Sequence, residues 1–286
     1  MKIVALDGHT LNPGDNSWQP VEALGEFVVY DKTPDDLIVE RAQGATVILT
    51  DKVPLTAVTF DQLPDLKFVS VTATGYNVVD VQAARARGIA VSNIPVYGTD
   101  SVAPYAIALL LELCHYIGHH DLRVHEGGWR ESGYWSFWDA PLTELAGKLI
   151  GLVGFGRIGQ RVGQLAHAFG MEVWAYAPSP KDDPGYAPFA FKSVEDIFAG
   201  ADVVSLHCPQ TPDNAGFVNA ALLGRMKEGS LLINTARGGL VDERALADAL
   251  RAGKPRAAAT DVASTEPIGD DNPLLSAANL IMTPHM

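Results

Sequence analysis

Cysteine is nearly absent from this chain: 286 residues carry two, Cys114 and Cys208. Two thiols build no disulfide framework and point to a reducing compartment. Positive charge is scarce as well. Lys and Arg number 21 against 34 Asp and Glu, a formal net charge of −13. A surface of that sign argues against nucleic acid and anionic membrane as partners, although it leaves room for a local basic pocket. Long apolar runs are missing too. The longest, residues 106–111, stops at Glu112, far short of a bilayer span. Met1 leads straight into the strand-like KIVALD with no signal-peptide pattern. A cytoplasmic chain is the expectation. Hydrophobic residues make up 47% of it, enough at this length for one large or two medium cores.

Residues 148–170, KLIGLVGFGRIGQRVGQLAHAFG, organise the rest. An apolar strand-like run at 148–153 leads into G-x-G-x-x-G, with Gly154, Gly156 and Gly159. An amphipathic helix follows, with Ile158, Val162, Leu165 and Ala166 on one face, and a second strand-like run lies at 172–176. In such a unit Gly154 permits the tight turn. Gly156 leaves the backbone bare where a pyrophosphate approaches, and Gly159 lets the helix pack close to the sheet. The helix start, at Arg157 and Ile158, offers free N–H groups and partial positive charge to phosphates. A turn that serves packing alone is the competing explanation. The close second glycine counts against it.

Before this stretch, strand patterns at 2–6, 27–30, 46–49, 67–71 and 89–91 alternate with helical patterns at 20–24, 34–42 and 79–87. That alternation predicts a parallel sheet covered by helices, and so a small α/β domain of its own. Gly88 stands where a helix C-cap glycine belongs. The loop 72–77 follows a strand end, where open parallel sheets bind ligands, and Gly75 would let an anion approach the backbone. An ordinary strand-to-helix turn explains it equally well. Further on, Asp100 or Ser101 is expected to cap a long apolar helix over 102–126, with Pro104 in its first turn. His115 and His119 are spaced i, i+4, but no carboxylate or cysteine completes a ligand set, so no metal is expected. Residues 127–147 read as a loop rich in aromatics: Trp129, Tyr134, Trp135, Phe137 and Trp138. These favour a partner interface over a cover for the core.

Beyond the glycine stretch, dinucleotide folds place an Asp or Glu at the end of the second strand to bond the ribose hydroxyls. Here Ala177 stands there, with Ser179 and Lys181 nearby, so NAD and NADP both stay open. Strands are expected at 203–206, 231–234, 257–260 and 279–282, and helices at 220–226 and 242–252. Each strand end runs into a polar or small-residue loop: His207-Cys208-Pro209, Thr235-Ala236-Arg237-Gly238-Gly239, the segment 261–267, and Thr283-Pro284-His285. Such loops ring one crevice in a doubly wound domain. An arginine placed like Arg237 holds a carboxylate through its planar fork. A glutamate like Glu266, bonded to an imidazole like His285, fixes the ring's tautomer and makes an acid/base group suited to neutral pH.

The set GFGRIG, NTARGGLVD at 234–242, D-V-x-x-x-E-P at 261–267 and TPH at 283–285 resembles the D-isomer-specific 2-hydroxyacid dehydrogenases. TGYNVVD at 74–80 and LHCPQT at 206–211 extend the resemblance over the whole chain. The segment 135–148 looks most like the glycerate dehydrogenase, or hydroxypyruvate reductase, branch. The resemblance implies two doubly wound α/β domains with the active site in the cleft. Residues 1–100 would form a flavodoxin-like substrate domain, and 101–286 a Rossmann domain that includes the interdomain helix. Thr74 and Gly75 would offer N–H groups to a 2-keto acid carboxylate. Arg237 would hold the carboxylate and polarise the carbonyl. His285, paired with Glu266, would exchange the proton. NAD(H) or NADP(H) would lie against Ser101, Gly154, Gly156, Arg157, Ile158, Gly159, Ala177, Cys208, Pro209, Thr235, Ala236 and Asp261. A homodimer is implied, with Trp135 or Trp138 resembling an aromatic that some members place in a neighbour's site.

Three departures accompany the resemblance. Ala177 replaces the ribose carboxylate. Pro104 stands where an acidic or amide residue is usual. The chain stops one residue after His285, whereas family members continue through another helix, so a longer enzyme is expected; without that segment His285 should be mobile. Two alternatives share the fold: a phosphite dehydrogenase, and a non-catalytic NAD(H)-sensing protein.

Overall fold

The computed structural model describes residues 1–12, 14–179 and 181–286. The chain divides into two units, Met1–Gly98 and Thr99–Met286. Each is built on a wholly parallel sheet with flanking helices.

In the first unit the strands are β1 (Lys2–Ala5), β2 (Glu26–Val29), β3 (Val47–Thr50), β4 (Phe68–Val71) and β5 (Ala90–Ser92). Their order is β2-β1-β3-β4-β5, the flavodoxin arrangement, so the direction of winding reverses between β1 and β3. Val4, Ile48 and Val69 are fully buried at its centre. Asp7 follows β1 at the reversal. Its carboxylate is only 4% exposed. It accepts the backbone N–H groups of Asp51, Lys52 and Val53 from the loop after β3, at 2.5 to 3.2 Å. Burial pushes this carboxyl up from its ordinary range while the N–H donors pull against it. The helix Val81–Ala86 is capped by Asp80. It ends on Gly88, at φ +71°, with Ile89 N–H reaching Ala84 O at 3.0 Å, the closure that a left-handed glycine permits.

The second unit holds β6 (Leu149–Val153), β7 (Glu172–Tyr176), β8 (Phe189–Phe191), β9 (Val203–Leu206), β10 (Leu231–Asn234), β11 (Ala257–Thr260) and β12 (Leu280–Met282). The order β12-β11-β10-β9-β6-β7-β8 is that of a dinucleotide-binding domain with one strand added, and it reverses between β6 and β9. β9, β10 and β11 are buried along their whole length. That explains their largely apolar character, with one buried polar residue in each: Ser205, Asn234 and Thr260.

The structure corrects several expectations. The helix expected over 102–126 starts earlier and breaks: Thr99–His115 and Ile117–His125 meet at a 56° bend. Tyr116 takes a left-handed conformation there, at φ 53°. Glu112 reaches across the break to accept the Gly118 N–H at 3.2 and 3.3 Å, satisfying a donor that a helix start leaves open. Asp100 and Ser101 therefore lie inside the first turn and do not cap it. Pro104 lies within the helix, past its first turn. The stretch 127–147 contains a short helix, Gly128–Ser132. β8 and the helix Val194–Gly200 answer to no pattern noted in the sequence. No single helix among the described residues is long and apolar enough to cross a membrane.

Candidate active site

The glycine turn links β6 to the helix Arg157–Ala168, and its three glycines do three different things. Gly154 sits at φ +106°, and a Cβ there would lie 2.6 Å from the backbone of His207 and Cys208. A Cβ on Gly159 would lie 2.1 Å from Gly154 O, so the helix packs on the turn's own carbonyl. Gly156 faces open space, with nothing within 4 Å of a Cβ. The helix has Gly156 as N-cap and no side-chain cap, so its first N–H groups stay available. Val162 and Ala166 are buried, and Ile158 and Leu165 pack against the same core. Arg157 and Ser101 are exposed. Arg161 Nε donates to Asp100 at 3.0 Å, tying the helix that carries Ser101 to the glycine helix.

Beside this turn, Ala177 is half-buried against the core, with Ser179 and Lys181 exposed beyond it. Cys208 is half-buried, and burial pushes its thiol up. Pro209 is exposed, and its carbonyl accepts from Asn214 at 2.9 Å. The Thr235 hydroxyl is buried without a hydrogen-bond partner among the described residues. An open glycine, an uncapped helix start and an unsatisfied buried hydroxyl at neighbouring strand ends suit a bound dinucleotide.

The loops after β10, β11 and β12 carry the charged groups. Asn234, buried at the end of β10, shapes the first of them: its side chain accepts Ala236 N–H at 3.1 Å and donates to Arg237 O at 3.0 Å. The Arg237 guanidinium is half-buried and rests on Ala236 O at 2.7 Å. Asp261 is buried. It accepts the Thr283 hydroxyl at 2.7 Å and the Met286 N–H at 3.1 Å, which ties the third loop to the second. His285 sits at φ 58°. Its Nδ1 meets Glu266 Oε2 at 2.6 Å, and Glu266 Oε1 accepts Ala263 N–H at 2.9 Å. Arg237, Glu266, His285 and Asp261 thus stand at the carboxyl ends of three adjacent strands. Thr74 lies in the first unit, its hydroxyl bonded to Ile94 O at 2.8 Å and its carbonyl to the Asn93 amide at 2.8 Å, and Gly75 is next to it.

Residues 107–286 match the family described as D-isomer specific 2-hydroxyacid dehydrogenase, NAD binding domain. The chain belongs to the D-isomer-specific 2-hydroxyacid dehydrogenases. It is 48% identical to a hydroxypyruvate reductase of Blautia hydrogenotrophica over 289 residues, covering 100% of this chain and 90% of that one. A glycerate dehydrogenase of Methylorubrum extorquens is 39% identical, covering 100% of this chain and 88% of its own length. Among solved structures, D-lactate dehydrogenase from Aquifex aeolicus, complexed with NAD and lactic acid, superposes with a TM-score of 0.85 at 27% identity, over 100% of this chain and 88% of that one. An acyclic imino acid reductase in complex with NADPH and D-Arg gives 0.86 at 28% identity, over 100% and 89%.

Two residues of this D-2-hydroxyacid dehydrogenase, Asn234 and His207, shape the site without having stood out as candidates. Asn234 had one legible sign, a polar residue closing an apolar strand. In the sequence, His207 is marked only by its place in a strand-end loop. Its Nε2 bonds Ser205 Oγ at 2.9 Å, its Nδ1 is buried without a partner among the described residues, and burial lowers its pKa to about 4. A neutral imidazole therefore backs the glycine turn of the dehydrogenase. The histidines near the helix break do something else. His119 and Arg123 bind the Asp139 carboxylate at 2.8 and 3.0 Å, which holds it below the ordinary range. Among the described residues no three His, Cys, Asp or Glu converge as a metal site.

Proposed function

We propose that this dehydrogenase reduces short 2-keto acids, hydroxypyruvate or glyoxylate, to D-glycerate or glycolate with NADH or NADPH. The observation that carries the proposal is the His285–Glu266 pair at 2.6 Å. Because Nδ1 is engaged by the carboxylate, Nε2 is the ring nitrogen left to face a substrate. When bound, the nicotinamide supplies the hydride that reaches C2. His285, as the imidazolium, donates its Nε2 proton to the oxygen on C2 as that oxygen gains charge, and takes it back in the reverse direction. Glu266 holds the ring in place through the bond to Nδ1. Arg237 holds the substrate carboxylate with two parallel N–H groups and polarises the C2 carbonyl. In the first unit, the substrate domain of this proposal, Thr74 and Gly75 offer backbone N–H groups suited to a carboxylate. The glycine turn with Arg157 and Ile158, together with Ser101, Ala177, Cys208, Pro209, Thr235, Ala236 and Asp261, holds the dinucleotide.

The similarity to a hydroxypyruvate reductase and a glycerate dehydrogenase supports the choice of substrate. A homodimer belongs to the proposal. It is supported by Trp129, Tyr134, Trp135 and Trp138, which stand 49%, 78%, 92% and 67% exposed around the helix Gly128–Ser132. A cytoplasmic setting is supported by the two free thiols, Cys114 and Cys208. The test is the rate of NADH and NADPH oxidation with hydroxypyruvate, glyoxylate and pyruvate. Arg237→Ala should lower kcat/KM by about a thousandfold, the cost of losing a donor to developing charge, with NADH affinity unchanged. Lysine should rescue poorly, since it lacks the planar fork. Tight NADH binding with no turnover of any keto acid would turn the assignment towards a sensor.

A further inference from the structure

Glu243 lies outside every site residue named so far. It is the first residue of the helix Glu243–Arg251, capped by Asp242, and it is half-buried. Its carboxylate faces the loop after β11. Oε1 accepts the Ser264 N–H at 2.7 Å, and Oε2 accepts the Ser264 hydroxyl at 2.7 Å and the Asn272 amide at 2.9 Å. Three donors on one carboxylate make a charge-assisted clamp on a segment 21 residues away. The clamped segment carries Glu266. Ala263, one residue before Ser264, donates its N–H to Glu266 Oε1 at 2.9 Å, and Glu266 Oε2 meets His285. On its other side the same backbone presses on Gly238, next to Arg237: a Cβ there would lie 1.9 Å from the Ala263 carbonyl carbon.

We infer that Glu243 is a positioning residue for the Glu266–His285 pair. It fixes residues 263–264, which fix one oxygen of Glu266 and so aim the other at the imidazole. The inference rests on the acid/base assignment proposed above. Without the clamp, Ser264 and Asn272 lose their acceptor and the loop loosens. A proton donor displaced by a fraction of an ångström slows the chemical step more than it weakens substrate binding. Glutamine keeps an oxygen for the Ser264 N–H but presents an NH2 towards the other donors, so it should restore part of the effect.

The experiment is a double-mutant cycle in the full-length enzyme, with kcat, keto-acid KM and NADH affinity measured for each variant. Glu243→Ala should lower kcat by about thirtyfold, the usual cost of removing a supporting partner, with KM and NADH affinity within about threefold. Glu243→Gln should recover part of the loss and stay about fivefold slow. In a Glu266→Gln background neither substitution should cost more than about twofold further, because their route is already cut. Wild-type kcat in Glu243→Ala, or an equal loss in both backgrounds, would overturn the inference. Should Glu243→Ala fail to fold, Glu243→Gln runs the same cycle, and wild-type kcat there overturns it. A Glu266→Gln enzyme with wild-type turnover removes the acid/base assignment and this inference together. A slow Glu266→Gln beside a fast Glu243→Ala removes this inference alone.

Discussion

Each sheet reverses its winding once, and the two reversals are treated in opposite ways. Between β1 and β3 the crevice is filled by the chain itself: Asp7 supplies the negative charge, and three backbone N–H groups close on it. Between β6 and β9 it is left bare. Gly156 meets nothing, and the helix beyond it begins without a side-chain cap. The same edge of the same kind of sheet can thus hold an internal carboxylate or keep its donors for a ligand's phosphates. Strand order makes the place, and one side chain decides who occupies it.

The largest effect should come from spoiling the open reversal. Gly154→Ala forces a side chain into a left-handed turn and against the backbone of residues 207–208. Urea unfolding should show about 3 kcal/mol lost, and NADH titration should show binding reduced at least about tenfold. Gly156→Ala is the control, since its Cβ enters open space: stability should stay within about 1 kcal/mol while NADH still binds more weakly. Unimpaired NADH binding by both variants would mean that the turn does not shape the site.

Spoiling the filled reversal should cost slightly less and leave the cofactor alone. Asp7→Ala leaves three N–H groups without their acceptor, so unfolding should lose about 2 to 3 kcal/mol with NADH affinity unchanged. Unaltered stability would show that the carboxylate is not what closes that crevice. Ala177→Asp tests the rim of the open one. An aspartate can bond ribose hydroxyls and repel a 2′-phosphate, so the preference for NADH over NADPH should rise about tenfold. Strong exclusion of NADPH by the unmodified enzyme would assign discrimination to another group.

The smallest effect concerns His207 behind the turn. Its pKa is lowered from 6.5 to about 4 in the fold, so between those values the unfolded chain binds the extra proton. Its contribution is neutral above pH 6.5 and becomes destabilising as pH falls towards 4. At pH 5.5 the penalty is about 1 kcal/mol. The stability of His207→Asn relative to wild type should therefore improve by about that amount between pH 7 and pH 5.5. A pH-independent difference would show that the imidazole is not held neutral.

Much of this was legible in the sequence. β9, β10 and β11 fall on their apolar runs because both faces are buried, and the glycine turn is legible because each glycine answers a local steric demand. What escaped is what depends on distant groups. The pattern through Tyr116 is continuous, and the break there needs a carboxylate from the preceding helix to stabilise the restart. β8 is three residues at a sheet edge, too short to show alternation. Arg237, Glu266 and His285 were legible as strand-end charges, but the groups that hold them were not. Asn234 acts on the turn directly after it, which only the fold reveals, and Glu243's partners lie 21 and 29 residues away in another loop.

The strand order carries a further consequence, for how the enzyme is made. β6 is bonded to β7, its near neighbour in sequence, and to β9, so Ile150 stands opposite Val203 and the Leu149 N–H meets Asp202, 53 residues away. Every parallel pairing must close a crossover before it gains anything, and this one closes the longest loop around the glycine turn. The backing of the glycine turn comes from residues 207–208, which directly follow β9. NADH added to a refolding chain should therefore leave the folding rate unchanged, and act only by slowing the loss of the finished domain.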